Sequence, residues 1–334
     1  MTDLRESSNA GGFSALFRNS TVLIGMVLVL LVVIAMVSTP YFLDPFNLES
    51  VMRDFSFIAL VALGQAMLLL IGELDLSIGA LATLSGILAG LMMTQTGIPP
   101  LLCFFIGIAI GVGLGCTNGI IVTKLRINAM VATIGMQGVY SGITLVITKG
   151  RAITGIPEQV YVIGKGTVSG IPVPFIIAMC MMALVVLFVT KTKGGRYIYV
   201  IGNSKPAAQI LGIKVDRIRL RQFAFTGFFA ALAGAISLAR LGTAQAALGV
   251  AWPLNSIAAC VIGGILLTGG VGNPIGAVIG AAILSVISNL IVLLGVDIYF
   301  QSAVNGIVVV IAIALPSLIN MYRERRRIRE IARE

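Results

Sequence analysis

The sequence predicts an all-α, polytopic membrane protein of about ten transmembrane helices, and three observations carry that prediction. Of its 334 residues 58% are hydrophobic and only 11% are charged, where a soluble domain carries roughly 25% charge. Charge-free runs long enough to cross a bilayer, at about 20 residues each, recur along the chain. The basic residues are distributed with the asymmetry that membrane topology imposes.

The first 20 residues form a polar tail, with Arg5 and Arg18 ahead of the first apolar run. That run, 22–38, is longer than a signal-peptide core and ends in Val-Ser-Thr-Pro, a poor cleavage site, so it reads as a retained first span. Charge-free runs follow at 55–72, 76–93, 101–123, 127–148, 172–190, 222–239 and 241–296, and a last one at 298–321. The run 241–296 is too long for one crossing. Pro253 and the turn Gly269-Gly270-Val271-Gly272 divide it into spans near 254–268 and 273–294. With a cytoplasmic N-terminus, eighteen of the 23 Lys and Arg fall on the cytoplasmic side and five on the other, which satisfies the positive-inside rule. The net charge of +10 is therefore topology and not a nucleic-acid footprint. The resulting organisation is a cytoplasmic tail at 1–20, a transmembrane domain at 21–321 with a cytoplasmic loop at 191–221, and a basic cytoplasmic tail at 322–334 that anchors on lipid.

Within the long basic loop lies a compact helix signal. Ser204 can cap, Pro206 sits in the first turn where a missing N–H costs nothing, Ala207, Ala208, Gln209, Ile210 and Leu211 continue, and Gly212 stops the helix. Two turns do not hold a helix in water, so something must hold it. Small residues recur at four-residue spacing in two further places, Gly107–Gly111–Gly115–Gly119 and Gly272–Gly276–Gly280. Such stripes let backbones approach closely, in packing within the chain or along an interface. Segments 62–86 and 256–280 each place a Gly-bearing interruption between two apolar helices, an internal pseudo-repeat of the kind found along transport pathways.

The side-chain chemistry is sparse. The chain has no His, which removes the commonest metal ligand and general base. The four Cys lie in apolar runs without CxxC spacing and read as small core residues. Glu73 and Asp75, in IGELDLSIG, stand between two long spans with no basic residue near them in the sequence. Carboxylates so placed default to functional sites, although Asp75 can also cap the next helix with Ser77 assisting. No nucleophile or metal-ligand motif accompanies them, so catalysis is not expected. Gln65, Asn118, Gln137, Asn255, Asn289, Gln301 and Asn305 offer hydrogen bonds along a path for a polar, uncharged solute, or serve as interhelical glue. GxxxxGK[ST] is absent. Any ATP that drives transport must be bound, with Mg, by a partner, and this chain itself carries no cofactor.

Four stretches resemble one known family: GELDLSIGALATLSG at 72–86, GCTNGIIVTKLRINAMVATIG at 115–135, GRYIYVIGNSKPAAQILGIKV at 195–215, and LNSIAACVIGGILLTGGVGNPIGAVIGAAIL at 254–284. They are similar to the ribose-type sugar permeases of bacterial ABC importers, over about 55–315. Glu73 where the family usually has Gly, Pro253 where Glu is common, and Ile265-Leu266-Leu267-Thr268 in place of a Ser-rich version are departures that bear on the solute. The resemblance implies an inner-membrane subunit with both termini cytoplasmic. It also implies a second permease copy or a paralogue, a periplasmic solute-binding protein and a cytoplasmic ABC ATPase. In that picture Gly202, Asn203, Ser204, Pro206, Ala207, Ala208, Ile210, Leu211 and Gly212 form a coupling helix lodged in the ATPase, with Ile210 and Leu211 as anchors. Glu73, Asp75, Ser77 and the amides named above would line or gate the path. Other readings are a branched-chain amino-acid permease of the same architecture and, from another class, an ion-coupled secondary transporter.

Overall fold

The computed structural model describes residues 20–297 together with 300, 303, 306, 307, 310, 311 and 314. The tails at 1–19 and 322–334, and most of the expected last span at 298–321, lie outside the described residues. Among the described residues the chain is helical apart from one hairpin of two two-residue strands and its loops, with a single 3-10 turn at Glu158–Val160.

Five helices begin on a residue whose side chain accepts one of their first N–H groups. α1 is Ser20–Ser38. α2, Pro45–Leu69, starts on Asp44, whose carboxylate accepts the Phe46 N–H at 2.9 Å, with Pro45 in the first turn. α3 is Ile78–Gln95 and α4 is Pro100–Lys124. α5, Ala129–Thr148, starts on Asn128, which accepts the Met130 N–H. A short α6, Tyr161–Lys165, leads to a hairpin of β1, Thr167–Val168, and β2, Ile171–Pro172, in register Thr167↔Pro172. α7 is Val173–Lys191, α8 Lys193–Asn203 and α9 Lys205–Ile210. α10 is Val215–Leu241, α11 Trp252–Ile262 and α12 Pro274–Leu293, the last capped by Asn273.

Eight of these helices (α1 to α5, α7, α10 and α12) are long and apolar enough to cross a membrane. The expected span at 254–268 is corrected. α11 has 11 residues, about 16 Å at 1.5 Å per residue, which is half a crossing. Apolarity alone could not reveal this. Gly264, Gly269, Gly270 and Gly272 all take positive φ, and that backbone runs as an irregular hinge from α11 to α12.

α2 and α10 form the buried centre, flanked by α3, α4 and α11. The α4 glycine stripe packs within the chain. A Cβ on Gly111 would lie 2.1 Å from the Ala231 Cβ, and one on Gly115 2.3 Å from the Phe223 carbonyl, both on α10; Gly107 meets Ala89 of α3. The second stripe joins α12 to α11, with Gly276 against Gly263 and Gly280 against Ala259. Lipid tails are as apolar as Leu, so close backbone approach replaces the hydrophobic drive here. Of the cysteines, Cys103 and Cys260 are core residues as read, but Cys180 is exposed. The loop 149–170, the longest on the face opposite the basic loop, is pinned to α2 and α10. Arg53 donates to the Gly164 and Lys165 carbonyls at 2.6 Å, and Gly164 packs on the Ala239–Arg240 backbone.

Candidate functional site

Two stretches interrupt the helices inside the bundle, residues 70–77 between α2 and α3 and residues 263–273 between α11 and α12. They meet. Leu70 and Ile71 are fully buried, and Gly72 turns the chain with φ +73°. The Leu70 carbonyl accepts the Gly270 N–H at 2.9 Å, and a Cβ on Gly72 would lie 2.9 Å from the Thr268 carbonyl.

After Gly72 the chain doubles back along α2. Non-helical backbone in a lipid-embedded bundle needs partners from within the protein, and the predicted polar residues supply them. With its amide oriented to satisfy both groups, Gln65 brackets the Asp75 backbone, its nitrogen donating to the Asp75 carbonyl at 3.2 Å and its oxygen accepting the Asp75 N–H at 3.3 Å. Leu76 N–H donates to Thr133 of α5 at 3.1 Å. Asp75 Oδ1 accepts the Ser77 N–H at 2.7 Å and the Ser77 hydroxyl at 2.6 Å, and Asp75 Oδ2 accepts from Asn118 Nδ2 of α4 at 3.0 Å. Asn118 Nδ2 also reaches Ser77 Oγ at 2.8 Å. The Tyr140 hydroxyl of α5 lies 2.8 Å from Asn118 Oδ1 and 2.9 Å from the Leu114 carbonyl, sharing its proton between them. Gln65, Asp75, Ser77 and Asn118 are all fully buried. Asp75 thus does not cap α3 in the expected way. It closes an Asx turn on Ser77, and Ser77 is the N-cap residue without a side-chain cap bond.

Glu73 corrects a second expectation. It is not without a basic partner: Oε1 accepts Lys205 Nζ at 2.9 Å and Arg219 Nε at 2.5 Å. These partners lie 132 and 146 positions downstream, so the sequence neighbourhood of Glu73 does not contain them.

Lys205 opens α9, and the α8–α9 elbow is seated on both interruptions. α8 was not foreseen. It is amphipathic, burying Ile198 and Ile201, with Thr192 accepting the Gly195 N–H at its start. Gly202 near its end lies where a Cβ would be 2.0 Å from the Leu70 carbonyl and 2.3 Å from the Gly270 nitrogen. Asn203 packs on Gly270, and the Tyr199 hydroxyl donates to the Gly272 carbonyl at 3.0 Å. Burial pushes the Tyr199 hydroxyl pKa up. α9 follows the expected pattern. The Ser204 hydroxyl accepts the Ala207 N–H at 3.3 Å, Pro206 is in the first turn, and Gly212 takes φ +75°. Ala208 is buried, whereas Ile210 is 87% and Leu211 70% exposed.

The remaining predicted residues lie apart. Gln137 on α5 and Asn255 on α11 are half-buried, without side-chain hydrogen bonds among the described residues. Asn289 on α12 forms a reciprocal amide pair with Asn47 of α2, at 2.7 and 3.2 Å, which joins two helices. Gln301 and Asn305 lie outside the described residues.

Over residues 47–313 the chain matches the protein family described as branched-chain amino acid transport system / permease component. The chain belongs to this family. The permease is 38% identical to the ribose import permease protein RbsC of Bacillus subtilis (strain 168), over 86% of its own length and 90% of the relative's. It is 35% identical to the autoinducer 2 import system permease protein LsrC of Yersinia enterocolitica (79% and 74% of the two chains). It is 33% identical to the D-allose transport system permease protein AlsC of Escherichia coli (strain K12), over 89% and 92%. No solved structure matches it. The permease is a transport subunit and not an enzyme. In the permease, the Asp75 network holds an irregular backbone segment in place between α2, α4 and α5. Asn118→Ala would strip Asp75 Oδ2 and the Tyr140 hydroxyl of a buried partner together. The expected cost is about 2–3 kcal/mol, read as a lowered unfolding midpoint in detergent with membrane insertion retained.

Proposed function

We propose that the permease is the membrane subunit of an ATP-driven importer for a sugar or sugar-like neutral solute. The observation that carries this reading is the α8–α9 elbow. Its outer end presents two apolar residues to solvent, Ile210 and Leu211, while its inner side holds both helix interruptions through Gly202, Tyr199 and Lys205. A push on the outer end therefore reaches the two irregular segments of the bundle directly. The solute class is supported by relatives named for ribose, allose and autoinducer 2 import, and by the uncharged amides and hydroxyls around Asp75. The branched-chain amino-acid reading, which the family description names, is not favoured by those relatives.

In this reading a cytoplasmic ABC ATPase binds ATP and Mg and receives α9. A periplasmic binding protein delivers the solute at the opposite end, where Arg53 and Arg240 fix the loops. A second copy or a paralogue completes the pathway in the inner membrane. Gln65, Glu73, Asp75, Ser77 and Asn118 belong to its gate, and both tails are cytoplasmic. The test is uptake into proteoliposomes holding the permease, its ATPase and its binding protein. ATP-dependent accumulation of labelled ribose or a related sugar is expected, with none for leucine. Uptake driven by a proton gradient without ATP would overturn the reading in favour of a secondary transporter.

A further inference from the structure

At the α8–α9 end of the bundle a cavity of about 490 Å³ opens between the Gly72–Leu74 turn, the α4–α5 loop, and the first turns of α9 and α10. Its volume falls in the range of small-molecule pockets, roughly 300–1,000 Å³. Arg126, Lys205 and Arg219 line it, and Glu73 is the one carboxylate among the described lining residues. The cavity therefore carries a surplus of positive charge. The pairing within it is also incomplete. Glu73 is nine-tenths buried and gives only Oε1 to its two cations; Oε2 is buried with no hydrogen-bond partner. Arg126 makes no hydrogen bond or ion pair among the described residues, yet it sits at φ +57°, a left-handed conformation that a long side chain rarely adopts. Such backbone strain is retained where surrounding structure, or a ligand, requires it. Asn128 caps α5 at the same rim, so the N-terminal end of that helix adds partial positive charge.

These features ask for two things at once. The free donors of Arg126 and Lys205 suit an anion of phosphate type, and Glu73 Oε2 needs a hydrogen-bond donor. A tetrahedral anion without a hydroxyl, such as sulfate, supplies only the first. We propose that this cavity binds a hydroxylated phosphate ester, its phosphate held by Arg126 and Lys205 and a hydroxyl donating to Glu73 Oε2. The chemistry is shared by a free sugar phosphate, which a phosphotransfer reaction on an imported sugar would produce, and by the phosphoglycerol headgroup of an anionic lipid. A bound ester ties the first turn of α9 to the α4–α5 loop. The inference rests on the proposed function only for the choice of sugar as probe.

The test uses the full-length permease alone, in nanodiscs of phosphatidylcholine, so a failed uptake assay and a failed binding assay remain separate results. Ribose 5-phosphate, ribose and sulfate are titrated by calorimetry, and a second preparation in phosphatidylglycerol is examined for retained lipid by native mass spectrometry. Saturable binding of ribose 5-phosphate, tighter than that of sulfate or ribose, supports a soluble ligand. Phosphatidylglycerol retention without soluble binding supports the headgroup. In either case Arg126→Gln, at an exposed position, weakens binding by about tenfold or more, the loss of one charge-assisted contact. Glu73→Gln removes the preference for the hydroxylated ester over sulfate. No binding in either arm, or binding unchanged in both variants, overturns the proposal.

Discussion

Replacing Ile210 and Leu211 together by Asp is expected to lower ATP hydrolysis stimulated by the loaded binding protein by at least about a hundredfold, since each apolar anchor becomes a charge that must be desolvated against the ATPase. The permease itself should be unharmed. At 87% and 70% exposure these side chains contribute little to the fold of the isolated chain, so its unfolding midpoint and its level in the membrane should match the parent's. Both readings come from one preparation, ATPase assays in nanodiscs and thermal unfolding of the permease alone. Stimulation at the parent's level would remove α9 from the coupling path. Ala208 lies on the same short helix but makes a poor probe. It is fully buried, and an acidic side chain there would unseat α9 from α8 and confuse misfolding with lost contact.

Gly202→Val should abolish uptake and lower stability together, by about 1–3 kcal/mol for overpacking at a close backbone contact. The first atom of any side chain at 202 meets the Leu70 carbonyl at 2.0 Å and the Gly270 nitrogen at 2.3 Å. Both neighbours are backbone, so neither can swing aside, and α8 must lift away from both interruptions. Gly113→Val on α4 is the matched control, because nothing lies within 4 Å of a Cβ there. It should leave both readouts near the parent's. Normal uptake by Gly202→Val would show that the three backbones need not touch for transport.

How much of this was legible in the sequence depended on whether a feature was local. The α9 cap, its first-turn proline and its Gly212 stop act within nine residues, and the helix lies where they place it. The spans were legible because apolarity is summed over a long window. α8 was missed because the Gly194-Gly195 pair reads as a loop; the buried spacing of Ile198 and Ile201 was the signal that could have found it. α11 was overextended because a half-crossing is as apolar as a full one, and only the φ signs at Gly264, Gly269 and Gly270 end it. Within the candidate site, Gln65, Asp75, Ser77 and Asn118 stood out as polar residues in apolar runs. Tyr140 did not, since one tyrosine in a span reads as ordinary packing. Lys205 and Arg219 were read as topology signals, and their contact with Glu73 is purely tertiary.

The hydrogen-bonded segment before α3 also constrains how the chain is made. Asp75 finds Asn118 of α4 43 positions later, Leu76 finds Thr133 of α5 57 positions later, and Glu73 waits 132 positions for Lys205. A ribosome delivers these in order. When α3 first leaves the translocon, Asp75 has only its local Ser77 bonds and Glu73 has neither of its cations, and the two carboxylates stay at the aqueous surface. The segment sinks into place only after α5 has emerged, and the turn below it is secured only after α9 and the start of α10. Biogenesis thus runs through a shallow intermediate, and a nascent chain truncated before α4 should show residues 73–77 reactive to a membrane-impermeant thiol reagent at introduced cysteines.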